Sequence, residues 1–292
     1  MPWQQVTITT SKELAPSFEE ILENNGALSV TFTDALNQPI YEPPLETTPL
    51  WEEVLVTGLF DEQHDLSRIE QIFTESVDNS NSWKIHLERL ENQVWERLWL
   101  EHFQPIKFGD DFWVCSTEHS PPEPEATILW LDPGLAFGTG THPTTALCLS
   151  WLAQQNLTNT TVFDFGCGSG ILAIASLLMG ADKATSIDID PQALIATQNN
   201  AEKNSVQDRL TIFDAHDYPK DTHDTVVANI LAEPLITFSN DISNLVKPNG
   251  QLILSGILSE QIESVTYAYT DKFIFEPPTV QDNWACLHAR KH

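Results

Sequence analysis

Three glycines spaced G-x-G-x-G, an acid just before them and a second acid twenty residues on are the residues of this chain best suited to chemistry. The stretch is Val162-Phe163-Asp164-Phe165-Gly166-Cys167-Gly168-Ser169-Gly170, followed by Ile187-Asp188-Ile189-Asp190. An apolar run ends in a glycine turn, a helical pattern comes next, and a second apolar run ends in an acid. This is the plan of a βαβ nucleotide site, where small residues let a ligand approach the backbone at a helix N-terminus. Asp188, at the end of the second strand, can accept hydrogen bonds from ribose hydroxyls. A dinucleotide fingerprint instead runs G-x-G-x-x-G and lays a pyrophosphate on the helix. Here the spacing is tighter and Asp164 sits beside it. An acid is a poor neighbour for a pyrophosphate and a good one for a cationic amino group.

That form resembles the first motif of class I S-adenosylmethionine-dependent methyltransferases, whose ligand carries an ammonium, a sulfonium and an adenosine but no phosphate. In an open parallel sheet a ligand lies outside the carboxyl ends of the strands, near the switch in strand order. Asp164-Phe165-Gly166, Asp188 and Ala228-Asn229-Ile230 end three strands and can be read together. Asn229 offers an amide donor and a carbonyl acceptor, and beside a methyl donor it could hold an attacking nitrogen in line. Its alternative reading is a turn residue bonded to its own backbone. Asp214-Ala215-His216-Asp217 follows another strand and reads as a solvated loop, although an acid there can face an adenine amino group. His216, Asp217, His223 and Asp224 lack metal-ligand spacing, so no metal site is expected.

The elements that must position these residues fall into two parts. In the first ninety residues, Val6 and Ile8 alternate with polar neighbours as a strand. Ser11 is the expected cap of a helix through Leu14, Phe18, Ile21 and Leu22, which Asn24-Asn25-Gly26 stops. Leu28–Phe32 and Val54–Phe60 read as strands on either side of a proline-rich connection. Asp65 starts a second expected helix with Leu66, Ile69, Ile72 and Phe73, and Trp83–Leu87 is a strand. The order βαββαβ is the ferredoxin-like arrangement, here a small N-terminal α+β domain over 1–90. Residues 91–105 read as a linker helix, with Val94, Trp95, Leu98, Trp99 and His102 at helical spacing and Pro105 ending it.

From residue 106 to 292 strands and helices alternate. Short strands are expected at Phe112–Cys115 and Thr127–Leu131, and a helix over Thr141–Gln154. Sheet strands follow at Thr161–Phe165, Ala184–Ile189, Leu210–Phe213, Thr225–Ile230 and Gly250–Gly256, the last entered through a Lys247-Pro248-Asn249-Gly250 turn. This alternation predicts a parallel sheet with helices on both faces, an α/β Rossmann-like domain.

Composition narrows the field. The net charge is −28, a field that repels phosphate backbones and so argues against direct nucleic-acid binding. It would attract a basic partner, although plain solubility explains an acidic surface equally well. No run approaches the ~18 apolar residues of a membrane span, and the start Met1-Pro2-Trp3-Gln4-Gln5 predicts no secretory signal. Cys115, Cys148, Cys167 and Cys286 form no C-x-x-C pair, which fits reduced thiols in a cytoplasm.

A second stretch, Gly134-Leu-Ala-Phe-Gly-Thr-Gly-Thr-His-Pro-Thr-Thr145, is a donor-rich loop leading into a helix, and its Phe137 can stack on an adenine. Together with Asp164–Leu172, Asp188-Ile-Asp-Pro191 and Ala228-Asn-Ile-Leu-Ala232, it resembles bacterial ribosomal protein L11 methyltransferases, the PrmA family. The Trp95–Phe108 bridge and the Met1-Pro2-Trp3 start resemble that family too, so the likeness spans the chain. It implies a small domain that recognises the ribosomal protein, a linker helix and a class I methyltransferase domain. The chain is expected to act as a monomer. The resemblance further implies transfer of methyl groups from S-adenosyl-L-methionine to lysine ε-amino groups and the N-terminal α-amino group of ribosomal protein L11. By that analogy Thr145, Gly166, Asp188 and Asn229 contact the cofactor, and Gly168, Phe137 and Thr141 join them as candidates. Asn229 is also the candidate catalytic residue. No motif residue stands out as a general base, so loss of the amine proton to water is the expected route. A methyltransferase for another protein or a nucleobase is one alternative, although such enzymes commonly carry Asn-Pro-Pro-Tyr where this chain has Asn229-Ile230-Leu231-Ala232. A nicotinamide-dependent oxidoreductase is another, opposed by the glycine spacing.

Overall fold

Every second residue is buried along part of β1 (Trp3–Ser11), where Val6, Ile8 and Thr10 point inward. The computed structural model describes residues 3–36, 38, 49–76, 83–90, 104–120, 123, 125–131 and 140–292. After β1 come α1 (Ala15–Asn24), β2 (Ser29–Asp34), β3 (Glu53–Asp61), α2 (Ile69–Ser76) and β4 (Lys84–Leu90). The strands pair antiparallel in the order β2-β3-β1-β4, the ferredoxin-like sheet. Phe18 and Leu22 of α1 and Phe73 of α2 close over Val6, Ile8, Val54, Val56 and Phe60 to make its core. These elements lie in a unit spanning residues 1–95; a second unit spans 96–292.

Two helix starts differ from expectation. Ser11 is the last residue of β1, and its carbonyl accepts the Leu14 N–H at 3.1 Å. Helix α1 opens at Ala15 without a side-chain cap because Pro16 occupies its first turn, where a missing N–H costs nothing. Asp65 does not begin α2; its carboxylate accepts the Ser67 N–H at 2.9 Å in a turn that precedes the helix. Residues 39–48 of the proline-rich connection and residues 91–103 of the expected linker helix lie outside the described residues.

The second unit begins with a small sheet of β5 (Ile106–Phe108), β6 (Phe112–Cys115) and β7 (Thr127–Trp130), antiparallel between β5 and β6 and parallel between β6 and β7. The larger sheet is built from α3 (Pro143–Leu152), β8 (Thr161–Phe165), α4 (Ile171–Leu178), β9 (Lys183–Asp188), α5 (Pro191–Lys203), β10 (Leu210–Asp214) and β11 (His223–Asn229). It continues with α6 (Ala232–Thr237), α7 (Ser239–Leu245), β12 (Val246–Leu258), α8 (Ile262–Tyr267), β13 (Phe273–Phe275), β14 (Thr279–Gln281) and β15 (Trp284–Lys291). Strand order is β10-β9-β8-β11-β12-β15-β13, with β14 also on β15.

This sheet is mixed, which corrects the all-parallel expectation. β15 runs antiparallel to β12, β13 and β14. Asp282 and Asn283, both with positive φ, make the two-residue turn from β14 to β15, and such a turn can join only antiparallel neighbours. Lys247-Pro248-Asn249-Gly250 also differs: it lies within β12, where the pairing with β11 shifts register.

Both faces of the sheet are covered, so its central strands read as nearly continuous apolar runs. Val162, Val227 and Ile253 face α3 and α4, whereas their neighbours Phe163, Val226 and Leu252 face α6 and α7. Beyond β11 the chain is tightly confined. A Cβ on Gly166 would stand 2.4 Å from Cγ2 of Ile230, and one on Gly256 would stand 2.2 Å from the Ile230 carbonyl oxygen. Both glycines have positive φ. Ile230 is therefore enclosed by two positions that exclude any side chain, and its predecessor Asn229 is fixed with it. Gly256→Ala is expected to cost about 1–3 kcal/mol through backbone conformation alone, plus the clash with Ile230. Denaturant unfolding of the variant measures this; a loss below ~0.5 kcal/mol would contradict the confinement.

Candidate active site

Strand β8 lies between β9 and β11, so the carboxyl ends of these three strands bring Gly166, Asp188 and Asn229 to one edge of the sheet. This edge is where the strand order reverses direction, the position at which open α/β sheets take ligands. The turn from β8 to α4 is held by backbone and carboxylate together. The N–H groups of Gly166 and Cys167 both donate to the Ile187 carbonyl at 2.9 Å. Gly168 N–H donates to Asp188 Oδ2 at 2.9 Å, and Asp190 N–H donates to Asp188 Oδ1 at 3.0 Å. Asp188 thus clasps the turn while each of its oxygens retains a further acceptor site. Gly166, Gly168 and Gly170 all have positive φ, which is why the turn is written in glycine.

Asn229 does not bond its own backbone. Its Nδ2 donates to Thr145 Oγ1 at 3.2 Å, across 84 residues of sequence, which leaves Oδ1 as the acceptor end of the amide. Ser255, its partner in register on β12, donates from Oγ to the Thr144 carbonyl at 3.1 Å. Two adjacent strand ends therefore grip the first turn of α3. That turn is capped by His142, whose Nδ1 accepts the Thr144 N–H at 3.4 Å and lies 2.8 Å from Thr144 Oγ1. The imidazole packs edge-on against Trp284, and burial lowers its pKa. Thr144, Thr145 and Ser255 are buried.

Asp164 lies beneath the turn and is 1% exposed. Its Oδ2 accepts the Ala173 N–H at 3.2 Å, while Oδ1 is buried with no partner. Burial raises its pKa to about 7; the Ala173 hydrogen bond works against that shift, and the Asp188 charge adds to it.

Of the sequence-predicted residues, Thr145, Gly166, Gly168, Asp188 and Asn229 share this edge of the sheet. Thr141 is exposed just ahead of the His142 cap. Phe137 lies outside the described residues. Asp214, exposed at the end of β10, takes its hydrogen bonds from the backbone and ring of His216. His223 and Asp224 serve the opposite end of the strands, where Asp224 accepts from Thr161 and pairs with Lys247. Among the described residues no group of His, Cys, Asp and Glu could hold a metal. Sequence reasoning missed Ser255 and three polar residues of α5 and its C-cap: Thr197, Asn200 and Asn204. Their helical spacing beside buried Ala193 and Ala201 was the available signal.

The family model described as Ribosomal protein L11 methyltransferase (PrmA) matches residues 2–292. Proteins named Ribosomal protein L11 methyltransferase from Ectopseudomonas mendocina and Photorhabdus laumondii are 48% and 49% identical; the matches cover all of this chain and 100% and 99% of theirs. The chain belongs to this family. A crystal structure of ribosomal protein L11 methylase from Lactobacillus delbrueckii subsp. bulgaricus superposes with a TM-score of 0.60 at 30% identity, covering 65% of this chain and all of that one. The family is one of S-adenosyl-L-methionine-dependent methyltransferases, which decides against a nicotinamide enzyme. The site fits that donor. Asp164 has an unpartnered buried oxygen for a cationic ligand, Asp188 faces the turn, and neither 164–178 nor 186–195 contains a lysine or arginine for a phosphate.

The raised pKa of Asp164 has a consequence for stability. Folded protein keeps this proton up to about pH 7, whereas an unfolded chain releases it near 3.8. Between those values the folded state binds more protons, so this group's contribution to stability falls as pH rises from about 4 to about 7. Measured against Asp164→Asn, the melting temperature of the wild type is expected to decline over that window and to level off above it. Parallel pH profiles would contradict a buried, protonated Asp164.

Proposed function

We propose that this chain moves methyl groups from S-adenosyl-L-methionine to lysine ε-amino groups and the N-terminal α-amino group of ribosomal protein L11. The observation that carries the reading is the full-length match to proteins of that name at nearly half identity. Residues 106–292 serve as the methyltransferase domain, residues 1–90 as the part that recognises the ribosomal protein, and 91–105 as the segment that joins them. A net charge of −28 supports a basic protein partner. The enzyme works in the cytoplasm as a monomer; among the described residues no helix is long and apolar enough to cross a membrane.

When bound, the donor supplies an electrophilic methyl group on a sulfonium. The chain's residues supply position. Asp188 receives the ribose hydroxyls, and the turn at Gly166 and Gly168 lets the donor lie against the backbone. Thr145, in the first turn of α3, contacts the donor beside them, and family resemblance adds Thr141 and Phe137 as further contacts. Asn229, its Nδ2 occupied by Thr145, presents Oδ1 to an N–H of the incoming amine. Accepting that N–H turns the nitrogen lone pair toward the methyl group. A lysine amine has a pKa of about 10.4, so a proton must leave before each transfer. It is passed to water, since Asn229 offers an amide, which cannot take it. Orientation of this kind can account for a large part of a rate enhancement.

Two variants separate the roles in an assay of methyl incorporation into purified ribosomal protein L11. Asn229→Ala is expected to slow transfer by about 100-fold while donor affinity changes much less. Wild-type turnover in that variant would remove Asn229 from the mechanism. Asp188→Ala is expected to weaken donor binding by about 10- to 100-fold, the worth of a charged hydrogen bond. Unchanged affinity by calorimetry would refute the ribose contact.

A further inference from the structure

Helix α5 turns polar side chains toward the protein interior, where an amphipathic helix ordinarily places apolar ones. Thr197 is fully buried, and Asn204, the C-cap residue, is 9% exposed. Asn200 lies between them, so the three follow one face at intervals of three and four residues. Buried polar groups persist when their hydrogen bonds are made, and here every bond has a definite partner.

Thr197 Oγ1 donates to the Gly168 carbonyl at 3.0 Å, and Asn200 Nδ2 donates to the Ser169 carbonyl at 2.9 Å. Two successive carbonyls of the glycine turn are thereby taken by one helix face. Gly168 is held on both sides, since its N–H already donates to Asp188. Asn204 continues the same line outward. Its Oδ1 accepts the Trp130 N–H at 2.7 Å, and its Nδ2 donates to the Trp130 carbonyl at 2.9 Å and to the Asn200 carbonyl at 2.8 Å. The side-chain amide stands in for a neighbouring strand at the last residue of β7.

Glycine allows the positive φ that this turn requires, but it also loses the most conformational freedom on ordering. A turn with three glycines would fluctuate unless its peptide planes were fixed from outside, and a site ordered before its ligand arrives binds more tightly. We propose that Thr197, Asn200 and Asn204 are positioning residues for the methyl donor. They pre-order the glycine turn and tie it, through Trp130, to the sheet of β5, β6 and β7. The proposal rests on the reading that the turn holds S-adenosyl-L-methionine.

The test is calorimetric binding of S-adenosylhomocysteine to full-length variants, with turnover measured at saturating donor. Thr197→Val keeps the side-chain shape without the hydroxyl, and Asn200→Ala removes the second bond. Each is expected to raise the dissociation constant about 5-fold while kcat stays within about twofold, and Asn204→Ala is expected to act in the same direction. Thr197→Ser restores the hydroxyl and should return affinity to within about twofold of wild type. Arg209→Ala serves as a control, because it removes hydrogen bonds to the Leu177 and Ala181 carbonyls at the far end of α4. It should lower the melting temperature without changing affinity. Wild-type affinity in Thr197→Val and Asn200→Ala would overturn the positioning role, as would an equal loss in Arg209→Ala. Failure of the wild type itself to bind would instead overturn the donor-site reading on which the proposal rests. Amide exchange over residues 166–170 reads the turn directly and should quicken in Asn200→Ala.

Discussion

The close passage of Ile230 between Gly166 and Gly256 is the constraint on which the rest of the site depends. The ends of β8, β11 and β12 approach so closely there that neither glycine position admits a Cβ. Because Ile230 cannot move, Asn229 leaves β11 in one direction and reaches Thr145. Ser255 stands opposite Asn229 in register and reaches Thr144. The first turn of α3 is therefore placed by the same strand ends that carry the glycine turn and the Asn229 amide. Chemistry at this edge is a matter of backbone approach first and of side-chain identity second.

Charge is arranged to suit a cation. Asp164 is buried under the turn with one oxygen unpartnered, a costly condition for a carboxylate and one that holds it partly protonated at neutral pH. Asp188 spends part of its hydrogen-bonding capacity on Gly168 and Asp190, so it orders the turn by bonds within the protein. No lysine or arginine occurs in either motif. A phosphate would find no counter-charge here, whereas an ammonium or sulfonium would find two acids. The tighter glycine spacing and the acid before it thus have a physical meaning that the glycines alone lack.

Much of this was readable from residues. The central strands are near-continuous apolar runs because helices cover both faces, and Asp188 and Asn229 fall at strand ends because those runs stop there. The antiparallel edge was not anticipated. β13 and β14 have three residues each, too short for a pattern, and their one clear signal is the Asp282-Asn283 turn. Ser11 resembles a cap, yet Pro16 sets the helix start instead. The bonds of Asn204 to Trp130 and of Asn229 to Thr145 join residues 74 and 84 positions apart. No local pattern encodes such pairs; only the sheet order brings them together. Polar residues on the inward face of α5 were visible as a departure from amphipathic patterning, but their partners were not.

The most direct measurement is the mass of ribosomal protein L11 isolated from cells that contain this chain and from cells that lack it. The account predicts methyl groups on lysine side chains and on the N-terminal amine in the first sample, absent from the second and restored when the wild-type chain is returned. Identical masses in both samples would contradict the assignment of this site to methylation of that protein.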